Sequence, residues 1–306
     1  MKLAVASGKG GTGKTTVSTN IAAVLSDCGE SVVYADCDVE APNGHLFLKP
    51  VIEKETPITR LIPSIDGILC THCGACAKFC RFNALACMKN GTLVFEELCH
   101  SCGGCSLVCP TGAISEIAVE SGILREGSAG KIKFVSGTFN VGGASSPHVI
   151  KATKNAAGGA DWIIYDGPPG TSCAMIESVK GCDFTVLVTE PTPFGLHDLK
   201  IALEVLEKLA IPRGVVINKS DNSSSETRKV CKEAGVEILA EIPDDIRLAK
   251  AYSRGEMASR YFPELRKTFL KIPTAALNIL ARTNKNFFYD NARIAGKLAE
   301  TEDAPK

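Results

Sequence analysis

The residues best suited to chemistry fall in three short stretches, one rich in glycine and two rich in cysteine. The stretch ASGKGGTGKTT, residues 6–16, combines four glycines with two lysines and three threonines. Glycines allow successive backbone N–H groups to point at one phosphate, and the N-terminus of a following helix adds partial positive charge. The stretches CTHCGACAKFC, residues 70–80, and CHSCGGCSLVC, residues 99–109, each carry four thiols, which bind iron or zinc. The sequence therefore predicts a phosphate-binding site and a thiol-ligated metal in one chain.

The glycine stretch lies between a predicted strand and a predicted helix, as a phosphate-binding loop requires. The apolar run at residues 2–7 predicts the strand, and the helical spacing of residues 16–25 predicts the helix. In this setting Lys14 is predicted to reach the β- and γ-phosphates of a nucleotide and Thr15 to ligate Mg²⁺. A glycine-rich turn without a ligand is the alternative, which the length and position of the motif disfavour. The predicted nucleotide contacts in the loop are Gly8, Lys9, Gly10, Gly11, Thr12, Gly13, Lys14, Thr15 and Thr16.

Acidic residues end two further predicted strands. Asp36 and Asp38, in SVVYADCD, are two residues apart and therefore project from the same side of the chain. Asp166, in DWIIYDGPPGT, follows a buried strand and precedes a sharp turn. Ligands of α/β sheets bind at such strand ends, and a P-loop enzyme uses an aspartate there to hold Mg²⁺. The alternative for the paired acids, that they are turn formers, weakens beside a phosphate-binding loop.

The loop KGGTGKT, with Lys9 near its start, resembles the deviant P-loop of the MinD, ParA and nitrogenase iron protein class of ATPases. The resemblance covers residues 1 to about 50 and about 130 to 260. It implies that Lys9 reaches across a face-to-face dimer to the phosphates bound by the other subunit, the alternative being a lone surface lysine. It also implies roles after the strands: Asp38 for the attacking water, Asp36 for the magnesium shell, Asp166 for Mg²⁺, Asn43 for sensing the nucleotide, and Asn218 and Pro243 for the adenosine.

Both cysteine runs have the C-x2-C-x2-C-x3-C spacing of a bacterial ferredoxin. The second run begins 29 residues after the first, at Cys99 against Cys70, and the tails FNALAC and TGAISE are related, which indicates an internal duplication. In a two-cluster ferredoxin the fourth cysteine of each run serves the other cluster. The predicted [4Fe-4S] ligands are Cys70, Cys73, Cys76 and Cys109 for one cluster and Cys99, Cys102, Cys105 and Cys80 for the other. Zinc is the alternative, which the tandem runs and the following Pro110 disfavour, although Arg81 replaces the usual proline after the first run.

The composition is that of a globular protein. The chain has 306 residues, 45% of them hydrophobic, and its 34 basic and 34 acidic residues cancel. We therefore expect no nucleic-acid partner and, without an apolar run of about 20 residues, no stable membrane insertion. With no signal peptide recognised, the expected location is the cytoplasm, where 14 cysteines point to metal or redox chemistry over disulfides. The six cysteines outside the two runs, Cys173 among them, are expected to be buried packing residues.

Strands that alternate with helices predict an α/β fold: a mostly parallel, doubly wound P-loop NTPase sheet. Residues 1–55 and 126–306 are predicted to form this ATPase domain. Residues 56–125 are predicted to form an inserted α+β ferredoxin domain of the bacterial 2[4Fe-4S] type. The last apolar segment, NFFYDNARIAGKLAE at residues 286–300, is expected to be a packed or frayed terminal helix rather than a membrane anchor.

The whole pattern resembles MinD-superfamily ATPases with an inserted ferredoxin domain, which implies ATP or ADP, Mg²⁺ and two [4Fe-4S] clusters as cofactors. The first functional hypothesis is ATP-gated electron transfer by a homodimer, or a heterodimer with a paralogous ATPase, to a redox or metalloprotein acceptor. The second is assembly or delivery of iron-sulfur or other metal cofactors, which the absence of a cysteine after Cys231 disfavours. The third is a positioning or partitioning ATPase. Phosphoryl transfer to water is the chemistry that the residues specify, with Lys9, Lys14, Asp38 and Asp166 as its catalytic groups.

The variant Lys14→Ala tests the assignment of the nucleotide site. We expect it to abolish ATP turnover, because the lysine is the main charge on the β- and γ-phosphates, and to leave the visible absorbance of the clusters intact. Phosphate release and the absorbance spectrum measure the two effects. Normal hydrolysis by this variant would contradict the assignment.

Overall fold

The computed structural model describes residues 1–140 and 146–283. Within these residues the strands are β1 (Lys2–Ser7), β2 (Val32–Asp36), β3 (Val51–Ile65), β4 (Leu85–Met88), β5 (Gly91–Val94), β6 (Ile114–Ala129), β7 (Ile132–Phe139), β8 (Trp162–Pro169), β9 (Phe184–Thr189), β10 (Arg213–Ser220) and β11 (Ile238–Pro243). The α-helices are α1 (Lys14–Asp27), α2 (Gly44–Leu48), α3 (Ala75–Phe79), α4 (Gly104–Leu107), α5 (Pro147–Ala156), α6 (Cys173–Val179), α7 (Pro193–Lys208), α8 (Ser225–Glu233), α9 (Ile246–Ser253), α10 (Ala258–Tyr261) and α11 (Pro263–Thr283).

Nine of these strands form one sheet in the order β11-β10-β9-β1-β8-β2-β7-β6-β3. The seven strands from β11 to β7 are parallel to their neighbours, and β6 and β3 add an antiparallel edge. The predicted fold class, a mostly parallel α/β sheet, is confirmed. All parallel strands end at one edge of the sheet, so the loops after β1, β2, β8 and β9 meet there.

Hydrophobic cores cover both faces of the parallel strands, because each strand sends alternate side chains to opposite faces. In β1, Leu3 and Val5 pack with residues of α1 and α11 on one face. Ala4 and Ala6 pack with residues of α6 and α7 on the other. Strand β1 is therefore held from both sides, which fixes the point where the glycine loop begins.

The antiparallel edge is a long hairpin that carries the cysteine runs. Strands β3 and β6 pair from Val51 opposite Ser128 to Ile65 opposite Ile114, and residues 66–113 lie between their far ends. A backbone hydrogen bond of 2.8 Å from Asp66 N–H to the Ala113 carbonyl closes that end. The predicted domain boundaries at 55/56 and 125/126 fall inside β3 and β6, so the hairpin runs without a break from the main sheet to the cysteine-rich part.

A β-bulge interrupts this hairpin where it leaves the sheet. Ile58 pairs with Gly122 and Thr59 with Glu120, which leaves Ser121 as the extra residue of β6. The buried Ser121 hydroxyl donates to the Ile58 carbonyl at 3.0 Å and lies 2.7 Å from His148 Nε2. His148 belongs to α5, so the bulge ties the hairpin to a helix of the main domain.

None of the helices among the described residues is both long and apolar enough to cross a membrane. The segment at residues 286–300, for which a packed or frayed helix is expected, lies outside the described residues.

Replacing Ser121 by alanine tests the role of the bulge. The variant loses two hydrogen bonds in a buried position, which should lower the free energy of unfolding by about 1–2 kcal/mol. Thermal unfolding measures the change. The control is Ser115→Ala, which removes an exposed hydroxyl from the same strand. Equal melting temperatures for the two variants would contradict the structural role of Ser121.

Candidate functional site

The glycine loop connects β1 to the N-terminus of α1 and has the conformation that a phosphate-binding loop needs. Gly11 (φ 78°) and Gly13 (φ 92°) are left-handed, a conformation that costs a residue with a side chain about 1–2 kcal/mol. Lys14 and Thr15 begin the helix and are buried, and the Lys14 charge acts on the carboxyl groups of Asp38 and Asp166. The predicted strand-loop-helix order is therefore present, with the lysine facing the acidic strand ends.

The side chain of Asn218 also holds the glycine loop in place. The Asn218 side-chain amide, from β10, donates to the Thr12 carbonyl at 2.8 Å. A Cβ atom on Gly13 would lie only 2.3 Å from the Asn218 Nδ2, so the amide packs directly on this glycine. Asn218 also lines an open cavity of about 700 Å³ with Thr16 and Pro243. The structure thus brings together five of the residues predicted to contact the nucleotide.

Asp36 and Asp166 lie side by side, because they are direct register partners at the ends of β2 and β8. Both are fully buried. Burial raises the pKa of Asp36 well above its usual value, and the neighbouring Asp166 raises it further. Burial also raises the pKa of Asp166, although the Lys14 charge opposes the shift. Asp38 is less enclosed, and burial raises its pKa to about 6.

The residues around these acids fit a magnesium ion with bound phosphates. The Asp166 Oδ1 atom is buried and accepts no hydrogen bond from the residues that the structure describes. The Oδ2 atom accepts one from the Tyr34 hydroxyl at 2.8 Å. Two adjacent buried carboxylates are costly unless a cation compensates them, and hydrated Mg²⁺ is a cation that carboxylates bind in this class of site. Thr15, Asp36 and Asp166 would hold the ion, which neutralises charge on the phosphates.

Asn43 lies at the start of α2, in the segment that follows Asp38. Its Oδ1 atom is buried and has no hydrogen-bond partner among the described residues. The next residue, Gly44, donates its N–H to Asp36 Oδ2 at 2.9 Å. The predicted nucleotide-sensing residue therefore adjoins the acidic pair, with an acceptor available for a ligand.

Lys9 has a partner within its own chain. Its ammonium group forms a salt bridge with Glu190, directly after β9, and lies 3.5 Å from the Thr192 hydroxyl. The other Glu190 oxygen lies 3.1 Å from Lys219 Nζ. Glu190 is largely buried, which disfavours its charge, but hydrogen bonds from the two lysines lower its pKa overall. Lys9 is therefore not a free surface lysine.

The first predicted set of cluster ligands surrounds one cavity. Cys70, Cys73, Cys76 and Cys109 all line an open cavity of about 320 Å³. Burial works against ionisation of the Cys109 thiol, yet backbone hydrogen bonds from Thr111 and its neighbours lower its pKa overall. Four cysteines from two separate runs therefore line one cavity, including the fourth cysteine of the second run.

The second predicted set surrounds another cavity. Cys80, Cys99, Cys102 and Cys105 line an open space of about 390 Å³, together with the exposed aromatic rings of Phe79 and Phe82. His100 lies in the wall of this cavity and stacks on Phe82 with 3.8 Å between ring centroids. Among the described residues, no three His, Cys, Asp or Glu side chains are close enough to hold a single metal ion.

The backbone repeats the 29-residue duplication seen in the sequence. His72 and Ser101 are both left-handed (φ 52° and 54°), as are Gly74 and Gly103 (φ 75° and 70°). Helices α3 and α4 begin at residues 75 and 104, again 29 positions apart. The two cysteine runs therefore follow the same path around their cavities.

Three residues of the site were missed or misjudged from the sequence. Cys173, expected to be buried, is exposed at the start of α6, so this expectation is wrong. Tyr34 stands two residues before Asp36, and that spacing could have placed it on the same face of β2. Glu190 follows directly on the predicted strand TVLVT, where an acid at a strand end is the same signal that identified Asp36.

Comparison with known proteins identifies the chain. A glycine loop between strand and helix, beside buried acids at the strand ends, defines the class of P-loop nucleotide-binding proteins. Residues 3–258 match the CobQ/CobB/MinD/ParA nucleotide binding domain. The chain therefore belongs to this family, and it is a nucleotide-binding P-loop ATPase.

Relatives extend over most of the chain. An uncharacterized protein of Methanocaldococcus jannaschii is 36% identical over 222 residues, which is 72% of this chain and 78% of that protein. An iron-sulfur cluster carrier protein of Pyrococcus horikoshii is 25% identical over 278 residues, 83% of this chain and 77% of that one. The Pyrococcus furiosus cell division ATPase MinD has a similar fold, with a TM-score of 0.54 and 21% identity over 92% of this chain and 99% of that chain.

The contact between Gly13 and Asn218 gives a testable prediction. Gly13→Ala adds the cost of a left-handed alanine and a clash with the amide, which should weaken nucleotide binding by at least tenfold. The matched control is Gly29→Ala, at φ 82° with open space around its Cβ position. Both variants carry the same backbone strain of about 1–2 kcal/mol. Titration with a fluorescent ATP analogue measures binding, and an equal loss in both variants would contradict the role of Asn218.

Proposed function

We propose that this chain is a Mg²⁺-dependent ATPase in which the nucleotide state is coupled to electron transfer through two bound [4Fe-4S] clusters. The observation that carries the proposal is the pair of cysteine-lined cavities at the end of a hairpin that continues the sheet of the ATPase domain. In this proposal residues 56–125 are the ferredoxin-type insert and the rest of the chain is the ATPase domain.

The nucleotide half of the proposal follows from charge and position. The backbone of residues 8–13 would bind the phosphates, and Lys14 would neutralise them. Asp38 is the least enclosed acid of the group and is proposed to position the attacking water. Asn218 and Pro243, at the 700 Å³ cavity, are proposed to contact the adenosine.

The cluster half rests on the ligand type and on the spacing of the cysteines. Zinc bound by four cysteines needs all four sulfurs about 2.3 Å from one point. Among the described residues no three His, Cys, Asp or Glu side chains are close enough to hold one metal ion, which favours a larger group instead. A [4Fe-4S] cluster is held by four cysteine thiolates and supplies one-electron redox chemistry. The crossed sets, in which Cys109 joins the first run and Cys80 the second, are those of a two-cluster ferredoxin.

A continuous stretch of chain joins the two halves. The segment after β2 contains Asp38 and leads through α2 into β3, the first strand of the hairpin. The Val39 carbonyl accepts a hydrogen bond from the Phe139 N–H at 2.8 Å. The Glu40 carboxylate accepts a hydrogen bond from the Ser146 hydroxyl at 2.9 Å. A change at the nucleotide would therefore move residues bonded to the start of α5 and to the end of β7, which pairs with β6 of the hairpin.

The proposed dimer gives Lys9 a second partner. Reaching the phosphates of another subunit requires Lys9 to leave Glu190, while Lys219 can keep that carboxylate paired. A homodimer, or a heterodimer with a paralogous ATPase, would form on this face. The electron acceptor would be a redox protein or metalloprotein.

A second candidate function is supported by the relatives. Several similar proteins, 24–26% identical over 83% of this chain, are named iron-sulfur cluster carrier proteins. In this alternative the clusters are cargo that the ATPase assembles or delivers. The eight cysteines that line the cavities favour permanently bound clusters. Each set offers four thiolates, one for every iron of a [4Fe-4S] cluster, so no iron is left without a protein ligand.

Electron paramagnetic resonance on the anaerobically purified, dithionite-reduced protein tests the proposal. We expect about eight irons per chain and cluster signals or midpoint potentials that change between nucleotide-free, ADP and non-hydrolysable ATP samples. The control is Lys14→Ala, in which the clusters should remain and the nucleotide effect should disappear. Clusters that ignore nucleotide but transfer to an apo-acceptor would support delivery instead, and zinc in place of iron would overturn both functions.

Cysteine variants test the crossed ligand sets. Cys80→Ser should disturb the signal of the cluster bound by Cys99, Cys102 and Cys105, and Cys109→Ser should disturb the other signal. The control is Cys173→Ser, which removes an exposed thiol outside both sets. Loss of the same signal in both cluster variants would contradict the pairing.

A further inference from the structure

We propose that Tyr34 is a positioning residue of the nucleotide site: its hydroxyl fixes one oxygen of Asp166 and leaves the second for the hydration shell of Mg²⁺. This inference rests on the proposed ATPase site and adds to it a residue outside the loop and the acidic strand ends. It is based on the hydrogen bond between Tyr34 and Asp166, on the Asp166 oxygen that this bond leaves available, and on the packing that holds the tyrosine ring.

The hydrogen bond is direct and buried. The Tyr34 hydroxyl donates to Asp166 Oδ2 at 2.8 Å, and neither residue is exposed to solvent. Ser18, in α1, is the other polar neighbour of the hydroxyl, with 3.4 Å between the two oxygens. A phenol is protonated at neutral pH, so the hydroxyl can donate this bond.

The two oxygens of Asp166 are therefore not equivalent. Oδ2 is held by the tyrosine, whereas Oδ1 is buried and accepts no hydrogen bond of normal distance and angle from the described residues, although the hydroxyls of Thr15 and Ser18 interact with this carboxyl group. A donor fixed on one oxygen holds the plane of the carboxylate about its Cβ–Cγ bond, and therefore holds the direction in which the other oxygen points. Partners of this kind orient the groups that bind a metal and commonly account for about 10–100-fold in its affinity.

The rest of the structure holds the tyrosine in place. Its ring stacks on Phe134 of β7, with 6.0 Å between centroids and 13° between planes. On the other side a Cβ atom on Gly44 would lie 2.4 Å from the Tyr34 hydroxyl oxygen, so the glycine makes room for it. Phenylalanine would fill the same space, and a buried hydroxyl is costly unless it is hydrogen-bonded. The packing alone therefore does not explain the hydroxyl group.

Tyr34→Phe tests the inference, because it removes only the hydroxyl and keeps the ring. The matched control is Tyr165→Phe, the buried residue next to Asp166 on β8, whose side chain packs in the core on the opposite face of the sheet. Binding of a fluorescent ADP analogue is measured in EDTA and over a range of Mg²⁺ concentrations, with thermal unfolding of each variant beside it.

We expect Tyr34→Phe to raise the Mg²⁺ concentration for half-maximal nucleotide binding by about tenfold. Affinity in EDTA should stay at the wild-type value, and Tyr165→Phe should match the wild type throughout. Wild-type magnesium dependence in Tyr34→Phe would overturn the inference alone, and so would an equal loss of affinity with and without Mg²⁺. Absence of Mg²⁺-dependent nucleotide binding in the wild-type protein would overturn the proposed function as well.

Discussion

The nucleotide site is built around two carboxyl groups, those of Asp36 and Asp166, buried side by side at the ends of neighbouring strands. Taking two negative charges out of water is costly, so the surrounding groups must compensate them. Lys14 supplies one positive charge, the Gly44 N–H and the Tyr34 hydroxyl supply hydrogen bonds, and one oxygen of Asp166 still has no partner among the described residues. Burial raises the pKa of both carboxyl groups, and a bound cation would favour their charged forms. The proposed Mg²⁺–nucleotide complex would supply that cation.

The sequence predicted those parts of the fold and the site that depend on local spacing. The glycine loop, the acids at strand ends and the alternation of strands with helices are short-range patterns, and the sheet class was confirmed. The crossed cysteine sets stay a prediction, which rests on the ferredoxin spacing of the two runs. Contacts between distant residues could not be predicted from the sequence. The salt bridge between Lys9 and Glu190 joins positions 181 residues apart, and the Tyr34 hydrogen bond joins positions 132 apart. The exposure of Cys173 likewise depends on how α6 packs, which residue type alone does not determine.

The long hairpin is the physical connection between the main sheet and the cysteine-lined cavities. Strands β3 and β6 are strands of the main sheet at one end and carry the cysteine-lined cavities at the other. A ladder of backbone hydrogen bonds holds this antiparallel pair together along its length. The ladder is irregular at two places, between Ile52 and Lys54 and at the Ser121 bulge. The contact of Ser121 with His148 of α5 places the second irregularity against the main domain.

The position of Lys9 limits how the proposed dimer can form. Glu190 holds this lysine within its own subunit, and the pair is partly shielded from solvent, with 27% and 12% of the two side chains exposed. An exposed ion pair contributes little to stability. Separating a shielded ion pair costs more free energy, and a new partner for the released charge must offset that cost. The phosphates of a nucleotide bound by a second subunit carry enough negative charge to do so, whereas an empty site has none. Dimer formation would then depend on nucleotide through this lysine, and Lys219, which remains beside Glu190, would prevent the carboxylate from being left unpaired.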